Sequence, residues 1–202
     1  MTPTKLSHAL SWVLHPFLLP LYLVTFLLTM TSFSLYPPEV KRYVVWVVVL
    51  YTLLLPALAL LVLRRVGRLS SYRIDNRRER LIPLLIGTIC YLLCALTFAK
   101  LPTIIFLRKF MVAAACCEVM CLMVSLRWKI SLHLTGMGAL VAMLTVMNIV
   151  GVRNLFLPLL VAIALAGVLA SARLYLGCHN AWQILAGFGG GFCIALLAVL
   201  FL

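Results

Sequence analysis

Acidic side chains are scarce in this chain. Only four Asp and Glu residues stand among 202, against 17 Lys and Arg, and the formal net charge is +13. The four acids are Glu39, Asp75, Glu79 and Glu118. Since only Asp75 and Glu79 are close in sequence, there is no cluster of carboxylates of the kind that holds a divalent cation. We therefore expect neither a metal site nor a cofactor.

A zinc or disulfide pattern is also missing, although the chain has seven cysteines. Cys90 and Cys94 share a helical face, but no His or acid joins them at the spacing of a zinc site. The odd count, and the position of most cysteines inside apolar runs, argue against a disulfide framework. These cysteines are expected to pack as small apolar residues.

Polar residues of any kind are few. Charged residues make up 10% of the chain and hydrophobic residues 65%, with a mean hydropathy of +1.18. This composition is typical of an integral membrane protein, and the length suits one domain over residues 1–202. No soluble basic domain is available for nucleic acid, so the expected partners of the basic excess are membrane lipids and a phosphorylated lipid.

Long apolar runs predict an all-α fold, a polytopic transmembrane helical bundle with six to seven spans. The runs begin near Ala9, Tyr43, Ile82, Phe110, Leu132, Leu155 and Trp182, and they end near Thr31, Leu63, Ala99, Leu126, Val150, Ala170 and Leu202. We read the first run as too long for a cleavable signal peptide. We expect a multi-pass protein that is located in the bacterial inner membrane.

Counting crossings puts most basic residues on one side of the membrane. That side holds the N-terminus, the polar connection Arg64–Arg80, the loop Arg127–Lys129 and the loop around Arg173, with 11 basic residues against 6 on the other. The positive-inside rule then favours a cytoplasmic location for this side, and the C-terminus is expected opposite the N-terminus.

Three polar clusters fall on this same side, each beside a predicted helix end. They are RIDNRRER (Arg73–Arg80), KISLH (Lys129–His133) and the stretch ASARLYLGCHNAWQ (Ala170–Gln183). Together they supply fixed cations and two histidines without a carboxylate cluster. Such a set suits metal-free phosphoryl transfer, because cations stabilise the charge on phosphoryl oxygens while two proton-carrying groups act on opposite sides of phosphorus.

The spacing within these clusters resembles the type 2 phosphatidic acid phosphatases, which carry Lys-x6-Arg-Pro, Pro-Ser-Gly-His and Ser-Arg-x5-His-x3-Asp. Here the corresponding stretches are Arg73-x6-Arg80, Ile130-Ser131-Leu132-His133 and Arg173-x5-His179-x3-Gln183. The resemblance extends over about two-thirds of the chain, from Arg73 onward. It implies a metal-independent membrane lipid phosphatase that forms a phosphohistidine intermediate. The resemblance also implies an outward-facing active site, whereas the charge count favours the cytoplasmic side, so the side of the active site stays open.

The resemblance also implies a role for each matching residue. His179 would attack phosphorus, and His133 would protonate the leaving oxygen. The residues implied to hold the phosphoryl oxygens are Arg73, Arg80, Ser131 and Arg173. Gln183 occupies the position of the acid that orients the nucleophilic histidine in the family. An amide can orient the ring through its carbonyl oxygen, but it supplies no negative charge.

Two other functions remain open at this point. The chain could bind a phosphorylated lipid without hydrolysing it, or act as a membrane scaffold, because Gln183 replaces the family's acid. A small transporter is the third reading, and it is disfavoured because the ionisable groups cluster at helix ends instead of the bilayer midplane. The sequence identifies neither the lipid nor the oligomeric state.

A few residues outside the motifs also carry expectations. His8 and His15 share a helical face and are expected to pack at the membrane interface, with a role in lining the substrate site as the alternative. Glu118 lies inside an apolar run, where an ionisable group is expected to be paired, here with Arg127 or a polar neighbour. Gly187 and Gly191 fit the small-xxx-small pattern, for which close packing of helices within the chain is expected and a dimer face is the alternative.

Overall fold

The structure, a computed structural model, describes residues 2–67, 78–99, 104–151 and 154–201, and these residues are predominantly helical. No β-strand occurs within these ranges, so the predicted all-α class is confirmed. The α-helices are α1 (Pro3–Val13), α2 (Leu19–Met30), α3 (Pro38–Val48), α4 (Leu55–Arg65), α5 (Leu81–Phe98), α6 (Ile105–Ser125), α7 (Leu132–Ile149), α8 (Phe156–Tyr175) and α9 (Ala181–Phe201). Short 3₁₀ turns lie at Ser32–Leu35 and Arg78–Arg80.

Five helical segments in the described ranges are long and apolar enough to cross a membrane. They are the continuous rod Pro38–Arg65 and the helices α5, α7, α8 and α9. The helix α6 has 21 residues, but it carries Arg108, Lys109 and Glu118. The helix α2 is apolar but has only 12 residues. The expected number of six to seven spans therefore stays a prediction.

The first apolar run was expected to be one helix from Ala9 to Thr31, and this is wrong. The helix α1 ends at Val13, and α2 begins only at Leu19. Pro16 explains the break, because proline lacks a backbone N–H and disfavours helical geometry at the residue before it. That preceding residue is His15, which therefore lies in the connection between the two helices.

The rod Pro38–Arg65 contains an irregular turn at its centre. Residues Val49–Leu54 form a π-helical turn between α3 and α4. Pro56 follows this turn and has no N–H to donate to the preceding helical turn, a common cause of local widening. The fully buried Thr52 lies in this turn, and its hydroxyl donates to the carbonyl oxygen of Phe17, 3.3 Å away.

The helix α7 forms the centre of the bundle. Of its apolar span, 61% is buried inside the protein, against 22% for the span of α8. The helix packs most extensively against α9 and also contacts α2, α6 and α8. The residues of α7 are therefore held from several sides, and His133 lies in the first turn of this helix.

Glycines allow α7 and α9 to touch through their backbones. A methyl group at Gly187 would lie 2.8 Å from the carbonyl oxygen of Ser131, which is closer than real contacts permit. A methyl group at Gly191 would likewise collide with the carbonyl oxygen of Thr135. The expected close packing of these glycines within the chain is thus confirmed, and no side chain fits between the two helices at these points.

Substitution of Gly191 by alanine tests this contact. We expect Gly191→Ala to lower the free energy of unfolding by about 1–3 kcal/mol, the usual cost of overpacking, although alanine favours the helix intrinsically. Gly189→Ala is the matched control, because a methyl group there meets nothing within 4 Å. Thermal unfolding in detergent should show a lower Tm for Gly191→Ala alone. Equal Tm values for the two variants would contradict the backbone contact.

Candidate active site

Four of the residues singled out by the motifs lie on the wall of one cavity of about 500 Å³. They are Arg80, His133, Arg173 and His179. Each comes from a different part of the chain and stands at a helix end or in a connection. The cavity has the size typical of a small-molecule site, and these four side chains give one part of its wall a strongly polar character.

The remaining three candidate residues are placed differently. Arg73 lies outside the described residues. Ser131 is fully buried and Gln183 is partly buried, and neither is part of the cavity wall. Ser131 instead joins the two helix starts, because its backbone N–H donates to the carbonyl oxygen of Gln183 at 3.3 Å. Its hydroxyl oxygen is buried and has no hydrogen-bond partner among the residues described.

His179 is held between two well-defined helix ends. The helix α8 ends in a Schellman motif, in which Gly177 takes φ +62° and the N–H of Cys178 donates to the carbonyl of Arg173 at 3.2 Å. The helix α9 begins two residues after His179. This short rigid connection explains how a residue outside regular structure is nevertheless buried, with 7% of its surface exposed.

The start of α9 is a capping box formed by Asn180 and Gln183. The Gln183 N–H donates to Oδ1 of Asn180 at 2.9 Å, and Oε1 of Gln183 accepts the N–H of Asn180 at 3.3 Å. The same Oε1 lies 3.1 Å from Nδ1 of His179. Gln183 therefore has two tasks at once, since it caps the helix and contacts the histidine.

These contacts fix the protonation of the His179 ring. The atom of Gln183 that accepts the Asn180 N–H must be the amide oxygen, so Nδ1 of His179 must carry the proton in this contact. In a neutral imidazole, the lone pair then resides on Nε2. The hydrogen bond to Gln183 thus leaves Nε2 of His179 unprotonated in the neutral ring.

The electrostatic setting keeps this ring neutral. Burial lowers the pKa of His179 to about 4, and the positive charge of Arg173 adds to that effect. The hydrogen bond to Gln183 opposes the shift, while Arg80 and Lys129 reinforce it. Cations therefore face the imidazole from α8, from the start of α5 and from the connection before α7, which favours an anion as the ligand.

Ser11 on α1 is a site residue that sequence reasoning missed. Its carbonyl oxygen accepts a hydrogen bond from Nε2 of His133 at 3.1 Å, and its hydroxyl lies 3.5 Å from Nη1 of Arg173. Ser11 also lines the cavity and is buried. A single α1 residue therefore contacts two candidate residues on different helices. No motif includes Ser11, and the wrong expectation of an unbroken first helix concealed its position.

The histidines of the first apolar run also lie on the cavity wall. Both His8 and His15 line it, which is the position that a role in lining the substrate site requires. The ring of His15 meets that of His133 edge-on, with centroids 5.3 Å apart. Burial, followed by the charge of Arg173, lowers the pKa of His15 to about 4.

The far part of the cavity is mostly apolar. Tyr91 lies eleven residues after Arg80, about 16 Å along α5 at 1.5 Å per residue, and Phe110 lines the same region from α6. Glu118 is the acidic residue among the described lining residues. Its Oε2 atom lies against Gly87 and has no hydrogen-bond partner in the described ranges, so the expected pairing of Glu118 is not observed.

Metal-ligating groups do not cluster in this cavity. Within the described ranges, no three His, Cys, Asp or Glu side chains come together as a metal site would require. The chemistry that the described residues offer is nucleophilic attack by an imidazole, proton transfer by its neighbours and stabilisation of anionic oxygens by guanidinium groups.

The low pKa of His179 is testable by NMR on protein labelled at histidine Cε1. We expect its titration midpoint at about 4, so that the imidazolium is populated only below that pH. Arg173→Gln should raise the midpoint toward the ordinary value of about 6.5, because a repelling charge is removed. His179→Gln identifies the resonance. A wild-type midpoint near 6.5 would contradict the described environment.

Comparisons with models of known protein families, with curated protein sequences and with solved structures found no match to this chain.

Proposed function

We propose that the protein is an integral-membrane lipid phosphatase that removes a phosphate or diphosphate group from a lipid without a metal ion, as a multi-pass protein of the bacterial inner membrane. The observation that carries this proposal is the meeting of two guanidinium groups and an oriented imidazole, Arg80, Arg173 and His179, at the polar end of a largely apolar cavity. A phosphorylated headgroup suits the polar end, and a hydrocarbon chain suits the rest.

The proposed reaction begins at His179. Its Nε2 lone pair attacks phosphorus and forms a P–N bond, while the P–O bond to the leaving group breaks and its electron pair goes to oxygen. The guanidinium groups of Arg80 and Arg173 stabilise the charge on the remaining phosphoryl oxygens. Arg80 is anchored for this role, because its Nη1 donates to the carbonyl oxygen of Ile130 at 3.3 Å.

Proton transfer is proposed to fall to His133. Its Nε2–H donates to the Ser11 carbonyl, which leaves Nδ1 as the ring nitrogen available for proton exchange. Nδ1 is then the atom that gives a proton to the leaving oxygen. In the second step water attacks phosphorus, its proton passes to His133, and the P–N bond breaks to release phosphate and neutral His179.

The second candidate is a protein that binds the phosphorylated lipid and does not hydrolyse it. The residue that favours it is Gln183, because an amide orients an imidazole without stabilising the imidazolium. In serine proteases the change from aspartate to its amide at the orienting position lowers kcat by about 10⁴. Hydrolysis, and not binding, separates the two candidates.

Phosphate release from micellar farnesyl phosphate and farnesyl diphosphate by the purified protein tests the proposal. We expect turnover in the wild type and a loss of at least about 10³-fold in His179→Ala, together with loss of an acid-labile phosphoenzyme. Trp182→Phe is the control, since Trp182 is exposed near His179. Binding without phosphate release would establish the second candidate, and full activity in His179→Ala would refute the nucleophile.

Gln183→Glu tests the orienting role with the capping box preserved. The glutamate keeps an acceptor for the N–H groups of His179 and Asn180 and adds a negative charge, which raises the pKa of His179 and stabilises its imidazolium. We expect turnover to rise about tenfold, and we expect Gln183→Leu to lower it by a similar factor.

Asn180→Ala is the matched control for these variants, because it weakens the helix cap at a cost of about 1 kcal/mol and adds no charge beside His179. Its turnover should stay within about twofold of the wild type. An active wild type whose rate is the same in both Gln183 variants would contradict the orienting role.

A further inference from the structure

His15 is a histidine of the cavity wall to which the proposed reaction gives no task. It lies in the connection between α1 and α2, and its ring lies edge-on to that of His133, with centroids 5.3 Å apart. Because His133 is the proposed proton donor to the leaving group, His15 stands on the leaving-group side of the reacting phosphorus.

Hydrogen bonds engage different nitrogens of these two neighbouring rings, Nε2 of His133 and Nδ1 of His15. His133 donates its Nε2–H to the carbonyl oxygen of Ser11. His15 instead accepts the backbone N–H of Phe17 at Nδ1, 3.3 Å away. An imidazole that accepts at Nδ1 carries its proton on Nε2, and a donor facing Nδ1 disfavours protonation of the ring.

The Nε2–H group of His15 is therefore a neutral hydrogen-bond donor at the cavity wall. No residue in the described ranges accepts a hydrogen bond from it. The charge of Arg173 and the burial of the ring act in the same direction, and they lower the pKa of His15 to about 4. A neutral imidazole can donate to an anionic oxygen without transferring its proton, as a preorganised electrostatic contact.

We propose that His15 determines specificity by donating its Nε2–H to the phosphoryl oxygens of a leaving group that itself carries phosphate, so that a lipid diphosphate is preferred over a lipid monophosphate. This inference rests on the proposed phosphatase function. When His179 attacks the terminal phosphorus of a diphosphate, the departing lipid phosphate has anionic oxygens on the side of His133 and His15. The alkoxide that departs from a monophosphate has a single oxygen, which takes the proton of His133.

The charges of the site agree with this assignment. Arg173 and Arg80 line the polar end of the cavity and act on His179 together with Lys129, so the polar end offers two guanidinium groups to a headgroup. A diphosphate offers more negative charge to these cations than a monophosphate does, and hydrogen bonds to charged oxygens are the stronger ones. His15 adds a donor that pH does not switch in the neutral range.

Farnesyl diphosphate and farnesyl phosphate test the proposal, because they share one hydrocarbon chain. His15→Phe keeps a ring beside His133 and removes the donor. We expect it to lower kcat/KM for the diphosphate by about 10-fold to 100-fold and for the monophosphate by less than about threefold. His15→Gln retains an N–H donor and should recover most of the loss. His8→Phe, at another histidine of the wall, should leave the ratio of the two substrates unchanged.

The pH dependence separates a neutral donor from a cation. The charged and titratable groups that face His15 from other helices are Arg173 on α8 and His133 on α7, and both are retained in His15→Phe. The diphosphate-specific loss should therefore be equal at pH 6 and pH 8. A loss present at pH 6 and absent at pH 8 would show a cationic His15, and equal losses for both lipids would show a structural role; either result overturns the proposal.

Failure of the phosphatase function would be recognised separately. If wild type and His179→Ala both release no phosphate from either lipid, the hydrolytic reaction is refuted. The affinities of wild type and His15→Phe for the same two lipids then decide the role of His15. A decrease in affinity of about 10-fold, confined to the diphosphate, would support the donor, and unchanged or equally weakened binding would refute it.

Discussion

The contact between α7 and α9 is the constraint on which the candidate site depends. His133 lies in the first turn of α7, and His179 lies two residues before α9. Glycines let the two backbones touch, and the N–H of Ser131 bonds the carbonyl of Gln183 where the helices begin. Because interiors are closely packed and resist small shifts, the relative position of the two imidazoles is set by main-chain geometry.

Placing cations beside imidazoles in an apolar bundle costs free energy of folding. Burial and the neighbouring guanidinium group both disfavour protonation of His179, and the described cavity wall brings Glu118 alone as an acid. In phosphoryl transfer, positioning and electrostatic stabilisation contribute most of the catalysis. The unfavourable placement of cations beside buried imidazoles therefore occurs at the site for which the function is proposed.

The sequence predicted the all-α class and singled out Arg80, His133, Arg173 and His179, because each stands among other cations or histidines beside a predicted helix end. The structure places these four on one cavity wall. The polar residue Ser11 could not be found in this way, since its contacts cross more than 120 positions of sequence. Pro16 was the available signal for the break that brings this part of the chain to the site.

Other features depend on three-dimensional packing that periodicity does not contain. Gln183 could be predicted as a partner of His179 from a four-residue helical step, but its second bond to the Asn180 backbone belongs to the start of a helix whose boundary sequence fixes only loosely. Glu118 was expected to be paired, and hydropathy alone did not indicate that it faces both a glycine of α5 and the cavity.

The wide turn at Val49–Leu54 has a consequence far from its own helix. Its Thr52 hydroxyl holds the carbonyl of Phe17, while the N–H of Phe17 holds Nδ1 of His15. The backbone of Phe17 is thus hydrogen-bonded through its carbonyl to an irregular helix and through its N–H to an imidazole ring. The tautomer of His15 therefore depends on the position of the Phe17 backbone, and that backbone is held in turn by a hydrogen bond from the π-helical turn.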